Sequence, residues 1–260
     1  QSIPSVILQS FALLGSTVWS KRTVTSILLS VTAIAYTSAT TTYDLDVKPL
    51  NRRTTPNFYG MVPDDNQGRT LTFIFLVLCS SFHILMRSIS VALILSTNAT
   101  WFWIYGVADY SFYLLVKLVR RDLQYWAPFY GAFGTIISIF VRIMGKLAAD
   151  YAALLHLRHP FEVGGLHSTL STIFNQSVCA VAAYAYLTHY PDDAIEKIDD
   201  SYVWRGVAAL YVGSILSFTG LLYNIKRKYI FTFLDTTTGP QSNCKKFLDV
   251  KSSDEIKFIS

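Results

Sequence analysis

The chain has 260 residues, of which 52% are hydrophobic and only 15% are charged, with a formal net charge of +5 at pH 7. A soluble domain carries roughly 25% charged residues, so this composition predicts a membrane protein. The surplus positive charge lies in short clusters beside apolar runs, where anionic lipid headgroups are the expected partners. We expect no nucleic-acid partner, and three cysteines are too few for a disulfide framework.

Apolar stretches long enough to cross a bilayer recur along the chain. The clearest is Leu71–Val116, in which His83, Arg87 and Asp109 interrupt the apolar run, and it predicts a two-helix hairpin with a turn at Ser96–Thr100. Further runs occupy Thr23–Thr42, Gly164–Tyr190 and Gly206–Ile225. The sequence therefore predicts an all-α, polytopic transmembrane helix bundle with five or six spans and an additional N-terminal apolar helix.

The predicted organisation has four parts. Residues 1–42 hold the N-terminal apolar helix and the first span, residues 43–70 form a polar loop, residues 71–228 form the membrane core, and residues 229–260 begin a polar cytoplasmic tail. The chain opens abruptly in apolar sequence, which indicates a fragment of a longer protein with soluble flanking domains.

Charge asymmetry predicts the topology of the last span. The loop at residues 191–201 holds five acidic residues and one lysine, whereas Lys226, Arg227 and Lys228 follow the span, so the basic end is predicted to be cytoplasmic. Basic clusters also flank the segment 127–157 on both sides. Both clusters can be cytoplasmic only if this segment enters and leaves the same face, which we favour over a full crossing that would supply a sixth span.

Charged residues within the apolar runs are the candidate functional groups. Arg87 and Asp109 are predicted to pair across the hairpin, mainly as a structural contact. Arg142, Lys146 and Asp150 are spaced i, i+4, i+8 and share one helix face. This stripe either lines an aqueous path or an anionic headgroup site, or it is the water-facing side of an interfacial helix.

The penultimate span carries more hydrogen-bonding side chains than a lipid-facing helix tolerates. They either bond neighbouring helices or line a permeation path. The members of this polar face are Ser168, Thr172, Asn175 and Gln176.

Three histidines crowd together as weak metal-ligand candidates. His156, His159 and His167 lie near Glu162, but the five histidines of the chain are too few for a two-iron membrane oxygenase. A single metal would also have to tolerate the break implied by Pro160 and the glycines that follow it. We therefore expect ordinary interfacial histidines and no cofactor.

Several sequence blocks resemble a family of uncharacterised multipass membrane proteins from diatoms and related stramenopile algae. The resemblance covers about Tyr43 to Gly239, and it implies a polytopic membrane fold without implying any activity, ligand or catalytic residue. The blocks are YDLD at 43–46, PNFYG at 56–60, PD at 63–64, LVRRDLQYW at 118–126 and RHPFEVGG at 158–165.

Three functional hypotheses follow from these features. The first is a channel- or transporter-like pore in a multipass integral membrane protein. A homo-oligomer is a possible assembly of this protein. The second is a membrane anchor or scaffold for soluble domains of the longer chain. The third is a histidine-metal membrane enzyme, which the ligand count disfavours, so a non-enzymatic protein is the expectation.

Overall fold

The computed structural model describes residues 6–7, 9–12, 21–54, 59–119, 132–152, 165–189 and 200–225. Within these ranges every regular element is an α-helix, as the hydrophobic patterning predicted. The helices are α1 (Lys21–Val47), α2 (Pro49–Thr54), α3 (Asn66–Thr97), α4 (Ala99–Val119), α5 (Ala132–Ala152), α6 (Gly165–His189) and α7 (Asp200–Asn224).

Several helices extend beyond the apolar runs that predicted them. Helix α1 continues past Thr42 to Val47, and α3 begins at Asn66 because the side chain of Asp65 accepts the backbone N–H of Gly68 at 2.6 Å and caps its first turn. Helix α7 begins at Asp200 rather than near Gly206. Hydropathy marks the part of a helix suited to lipid, whereas capping and packing decide where the helix ends.

Among the described residues, three helices are long and apolar enough to cross a membrane. They are α1, α3 and residues 201–224 of α7, which makes the fold compatible with a membrane protein. The described middle of the segment 127–157 is the unbroken helix α5, so a return to the same face would require a reversal outside residues 132–152. The five or six spans of the sequence prediction are not confirmed, since the described residues supply three candidates.

Helix α3 is the centre of the bundle, and α1, α4, α5, α6 and α7 all pack against it. One core cluster joins Met86 and Leu93 of α3 to Cys179 and Ala183 of α6 and to Val207 of α7. A second cluster packs α1 against α3 and includes Val6 from the N-terminal segment, and a third joins α1, α3 and α7. Each of these contacts removes apolar side chains from the surroundings of the bundle.

Two glycines let α7 approach α3 closely. A Cβ atom at Gly213 would collide with the ring of Phe82, and one at Gly220 would collide with the ring of Phe75. Small residues of this kind allow helix backbones to approach in membrane bundles. The large side chains of α3 therefore occupy the space that the glycines of α7 leave open.

The segment between α1 and α3 was predicted as a polar loop, and its described residues are organised around one carboxylate. Oδ1 of Asp46 accepts the backbone N–H groups of Gly60 at 2.8 Å and Met61 at 3.0 Å, and its Oδ2 accepts that of Val62 at 3.0 Å. Arg52 reaches the same carboxylate at 3.5 Å and the backbone oxygen of Asp46 at 2.8 Å. We call this arrangement the Asp46 junction.

The Asp46 junction gives a physical reason for two of the sequence blocks noted above. Asp46 closes the YDLD block and is 2% exposed, and Gly60 closes the PNFYG block with a φ of 95°, which favours glycine. A side chain at position 60 would strain the backbone that delivers these N–H groups to the carboxylate. The two blocks thus contribute to one contact between the end of α1 and the approach to α3.

Candidate functional site

Three charged side chains meet between α3, α4 and α5. Oδ2 of Asp109 lies 3.1 Å from Nη2 of Arg87 and 2.9 Å from Nζ of Lys146, so both cations bind the same carboxylate oxygen. All three residues are buried, with exposed fractions of 3% for Arg87, 5% for Asp109 and 1% for Lys146. We call these residues the ion cluster.

The tight turn between α3 and α4 explains why two members of the ion cluster meet. The backbone N–H of Asn98 donates to the oxygen of Ile94 at 3.0 Å, and its side-chain oxygen accepts the N–H of Thr100 at 2.7 Å. Asn98 thereby ends one helix and starts the next. Arg87 and Asp109 lie equally far from Asn98 in sequence, so antiparallel helices bring them to the same level.

Tyrosine rings of α4 surround the two cations. The guanidinium of Arg87 lies 5.1 Å from the ring centre of Tyr105, and Nζ of Lys146 lies 5.5 Å from that of Tyr110 and 5.8 Å from that of Tyr113. Tyr105, Asp109 and Tyr113 are spaced i, i+4, i+8 on one face of α4. The rings add cation–π attraction to the carboxylate contacts and surround the charges with apolar surface.

The polar network continues from the ion cluster to α6. The hydroxyl of Tyr105 donates to Oδ1 of Asn175, and Nδ2 of Asn175 donates to Oγ of Ser171 at 3.2 Å. Because the ring of Tyr105 also covers Arg87, these contacts link the ion cluster to the polar face of α6. One connected set of polar side chains therefore joins α3, α4, α5 and α6.

The predicted polar face of α6 divides between two neighbours. Asn175 turns toward α4, whereas Nε2 of Gln176 donates to Oγ of Ser214 on α7 at 3.1 Å. The hydroxyl of Tyr211, also on α7, donates to the backbone oxygen of Gln176. Thr172 is half-buried on the same helix. Asn175 and Gln176 thus bond neighbouring helices, whereas the hydroxyl of Ser177 donates to the backbone oxygen of Ile173 in its own helix.

The structure describes the side chain of one member of the predicted charged stripe, Lys146. Lys146 is buried against Asp109, so this residue does not lie on a water-facing helix surface. Arg142 and Asp150 belong to α5, but their side chains lie outside the described part of the chain. The contact between Lys146 and Asp109 had no local signal in sequence, whereas the i, i+4 spacing of Tyr105, Asp109 and Tyr113 could have indicated the aromatic surroundings of the ion cluster.

The predicted histidine set lies outside the described residues. His156 and His159 fall between α5 and α6, and only the backbone of His167 is described, as is that of Ser168. Over the described ranges no three His, Cys, Asp or Glu side chains come together in a way that could hold a metal ion. The site that the described residues define is therefore the ion cluster and its polar extension to α6.

This arrangement is suited to binding ions. Arginine and lysine hold carboxylates and other anions through short, charge-assisted hydrogen bonds, and burial strengthens such bonds because water competes less.

The chain matches no family model, no curated protein and no solved structure in the comparisons. The chemistry of the ion cluster, set in an all-helical bundle, is therefore the basis for a functional proposal.

Proposed function

We propose that the chain is a multipass membrane protein of the transporter type and that the ion cluster is its functional site. The observation that carries this proposal is the position of Asp109 at the centre of the 21-residue helix α4. If α4 crosses the bilayer, Asp109 lies about 15 Å from each end, close to the midplane of a hydrocarbon core about 30 Å thick. Ionisable residues at that depth are costly and typically serve an ion or substrate pathway.

The outward surfaces of the bundle support a bilayer environment. Helices α4 and α7 expose many large apolar side chains, which is unfavourable in water over so long a surface but natural against lipid tails. With α1, α3 and α7 as spans, α4 and α6 make five, and α5 makes six if it crosses completely. The exposed side chains include Trp103, Val107, Leu115, Val119, Val212, Ile215 and Leu216.

Site-directed labelling tests whether α7 crosses the membrane. In a background with all three native cysteines replaced, Tyr202→Cys and Tyr223→Cys place single thiols at exposed positions near the two ends of the helix. A membrane-impermeant maleimide should label the two variants from opposite faces of sealed vesicles, because the acidic loop and the basic segment flank opposite ends of this span. Labelling of both variants from one face would contradict the crossing.

The ion cluster favours transport over a purely structural role. Apolar side chains could hold the helices together with a smaller loss of solvation free energy than three buried charges. Replacing buried ion pairs by apolar side chains of similar volume is often neutral or stabilising, so packing alone gives no reason to bury three charges. The polar contacts also extend through Tyr105 to Asn175 on α6. A polar set that spans four helices is the kind of structure that a substrate path requires.

The second candidate is a membrane anchor, and one observation favours it specifically. The ion cluster is closed, with no member more than 5% exposed, and both cations contact the carboxylate of Asp109 directly. In this interpretation the cluster specifies how α3, α4 and α5 pack together, while the activity belongs to soluble flanking domains.

We also propose that the chain is a member of the algal membrane family, on the basis of the blocks that form the Asp46 junction. This proposal concerns the identity of the protein and says nothing of its activity.

Flux measurements separate these two candidates. The purified protein is reconstituted into lipid vesicles, and solute flux is read from light scattering after an osmotic step. Compared with empty vesicles, the protein should increase the flux of at least one of four solutes: potassium chloride, potassium nitrate, sodium gluconate or glycerol. Lys146→Met should reduce that flux about tenfold, since one charge-assisted contact is worth roughly 1.5–3 kcal/mol. The lipid-facing control Ile215→Leu should leave it unchanged. Background flux for every solute would instead support the anchor.

A further inference from the structure

We propose that the ion cluster binds a small monovalent anion together with one proton, so that the anion takes the place of the Asp109 carboxylate on Arg87 and Lys146. This inference rests on the proposed transport function and names its substrate class. It makes the protein a proton–anion symporter, with Asp109 as the proton acceptor and the two cations as the anion site.

The geometry of the carboxylate supports this exchange. Both cationic nitrogens bind Oδ2, so a proton can be added to Oδ1 of Asp109 without displacing either nitrogen. Protonation forms one O–H bond and removes the negative charge that holds Arg87 and Lys146 in place. The contacts from Oδ2 to Nη2 and Nζ then give way to contacts from the same two nitrogens to the incoming anion.

The shared position of the two negative groups couples the anion to a proton. The charges of Arg87, Lys146 and ionised Asp109 sum to +1, and one proton with one monovalent anion leaves that sum unchanged. An anion that took the position of Oδ2 without a proton would leave an ionised carboxylate buried beside it, without the two nitrogens that now hold it, which is costly in a low-dielectric interior. The coupling of proton and anion therefore follows from the single point at which the two cations converge.

The size of the anion follows from the two contact distances. Nη2 of Arg87 and Nζ of Lys146 converge on one oxygen atom, at 3.1 Å and 2.9 Å. A monatomic anion such as chloride, or one oxygen of a small anion such as nitrate, can occupy the same point between them. The tyrosine rings of Tyr105, Tyr110 and Tyr113 pack around the cations and favour a small ligand.

Other ionisable groups near Asp109 are few among the described residues and can be tested separately. Helix α3 contributes Arg87, α5 contributes Lys146, and α4 contributes the three tyrosine phenols, while α6 reaches this region through the neutral amide of Asn175. His83 lies one helical turn before Arg87 on α3. Because histidine titrates near neutral pH, it is the side chain that a control variant must address.

The test uses the full chain in detergent, with chloride as the probe. Chloride added to weakly buffered protein should be bound with uptake of about one proton, read from a pH indicator, because binding and protonation are linked. Lys146→Met keeps the neutral Arg87–Asp109 pair and should weaken chloride binding about tenfold or more through loss of a charge-assisted contact. His83→Gln should keep both the affinity and the proton uptake.

A second variant tests whether Asp109 takes up the proton that accompanies the anion. Asp109→Asn should bind chloride without proton uptake, and chloride should raise its thermal stability relative to gluconate, because the anion supplies the charge that the carboxylate no longer provides. If this variant does not fold, Lys146→Met and the wild-type proton count decide alone. Chloride binding by the wild type without proton uptake, loss of the uptake in His83→Gln, or unchanged affinity in Lys146→Met would overturn the inference.

The outcomes also distinguish this inference from the proposed function. Flux of sodium or glycerol without chloride binding would overturn the anion site and leave transport standing. Chloride binding with proton uptake but without any flux would overturn both transport and symport, since the protein would then bind the anion without transporting it. Chloride flux coupled to proton entry in vesicles would support both.

Discussion

Asp109→Asn should be the most damaging single substitution in the ion cluster, lowering the free energy of unfolding in detergent micelles by about 3–5 kcal/mol. The amide removes the one carboxylate that Arg87 and Lys146 share at 3.1 Å and 2.9 Å. Both cations then face each other in a site where neither is more than 3% exposed. The measurement should be made in gluconate, so that chloride does not supply the missing charge.

Companion variants identify the cause of that loss. Lys146→Met should cost less than Asp109→Asn because the Arg87–Asp109 pair stays neutral and intact. The triple variant Asp109→Asn, Arg87→Gln, Lys146→Met should be more stable than Asp109→Asn alone, because burying no charge is better than burying two unbalanced ones. Strictly additive effects of the three substitutions would contradict an interacting cluster.

Helix positions and two of the three members of the ion cluster follow from local sequence. The apolar runs predicted the helical class because 20 or so consecutive apolar residues have few other stable arrangements. Arg87 and Asp109 could be matched because the short turn at Asn98 leaves an antiparallel hairpin as the compact solution. Equal sequence distance from that turn then implies equal height along the two helices.

The third member of the ion cluster depends on packing that no local pattern encodes. Lys146 shares a helix face with Arg142 and Asp150 in sequence, and this spacing indicates a common face without indicating what lies opposite it. The partner of Lys146 is decided by how α5 packs on α3 and α4. A residue that resembled part of a solvated stripe is consequently buried against a carboxylate from another helix.

The polar loop before α3 shows the same limit in a different form. Three proline residues and eight charged residues between Tyr43 and Arg69 predicted a segment that cannot span. They could not indicate that α1 continues to Asp46, nor that the chain returns to place the N–H groups of residues 60–62 around that carboxylate. Hydrogen bonds across 14 to 16 residues depend on the whole path of the loop.

The Asp46 junction should be the second site of large effect, with Asp46→Ala lowering the free energy of unfolding by at least about 3 kcal/mol. Alanine leaves the N–H groups of Gly60, Met61 and Val62 without their acceptor and removes the carboxylate that Arg52 contacts. Asp46→Asn should lose less, since its side-chain oxygen can still accept from Gly60 and Met61 while its amide group opposes the N–H of Val62. The matched control is Asp44→Ala, an exposed carboxylate on the same turn of α1, which should change stability by less than about 0.5 kcal/mol. Equal losses from Asp44→Ala and Asp46→Ala would show that net charge at the end of α1, rather than the junction, stabilises this part of the bundle.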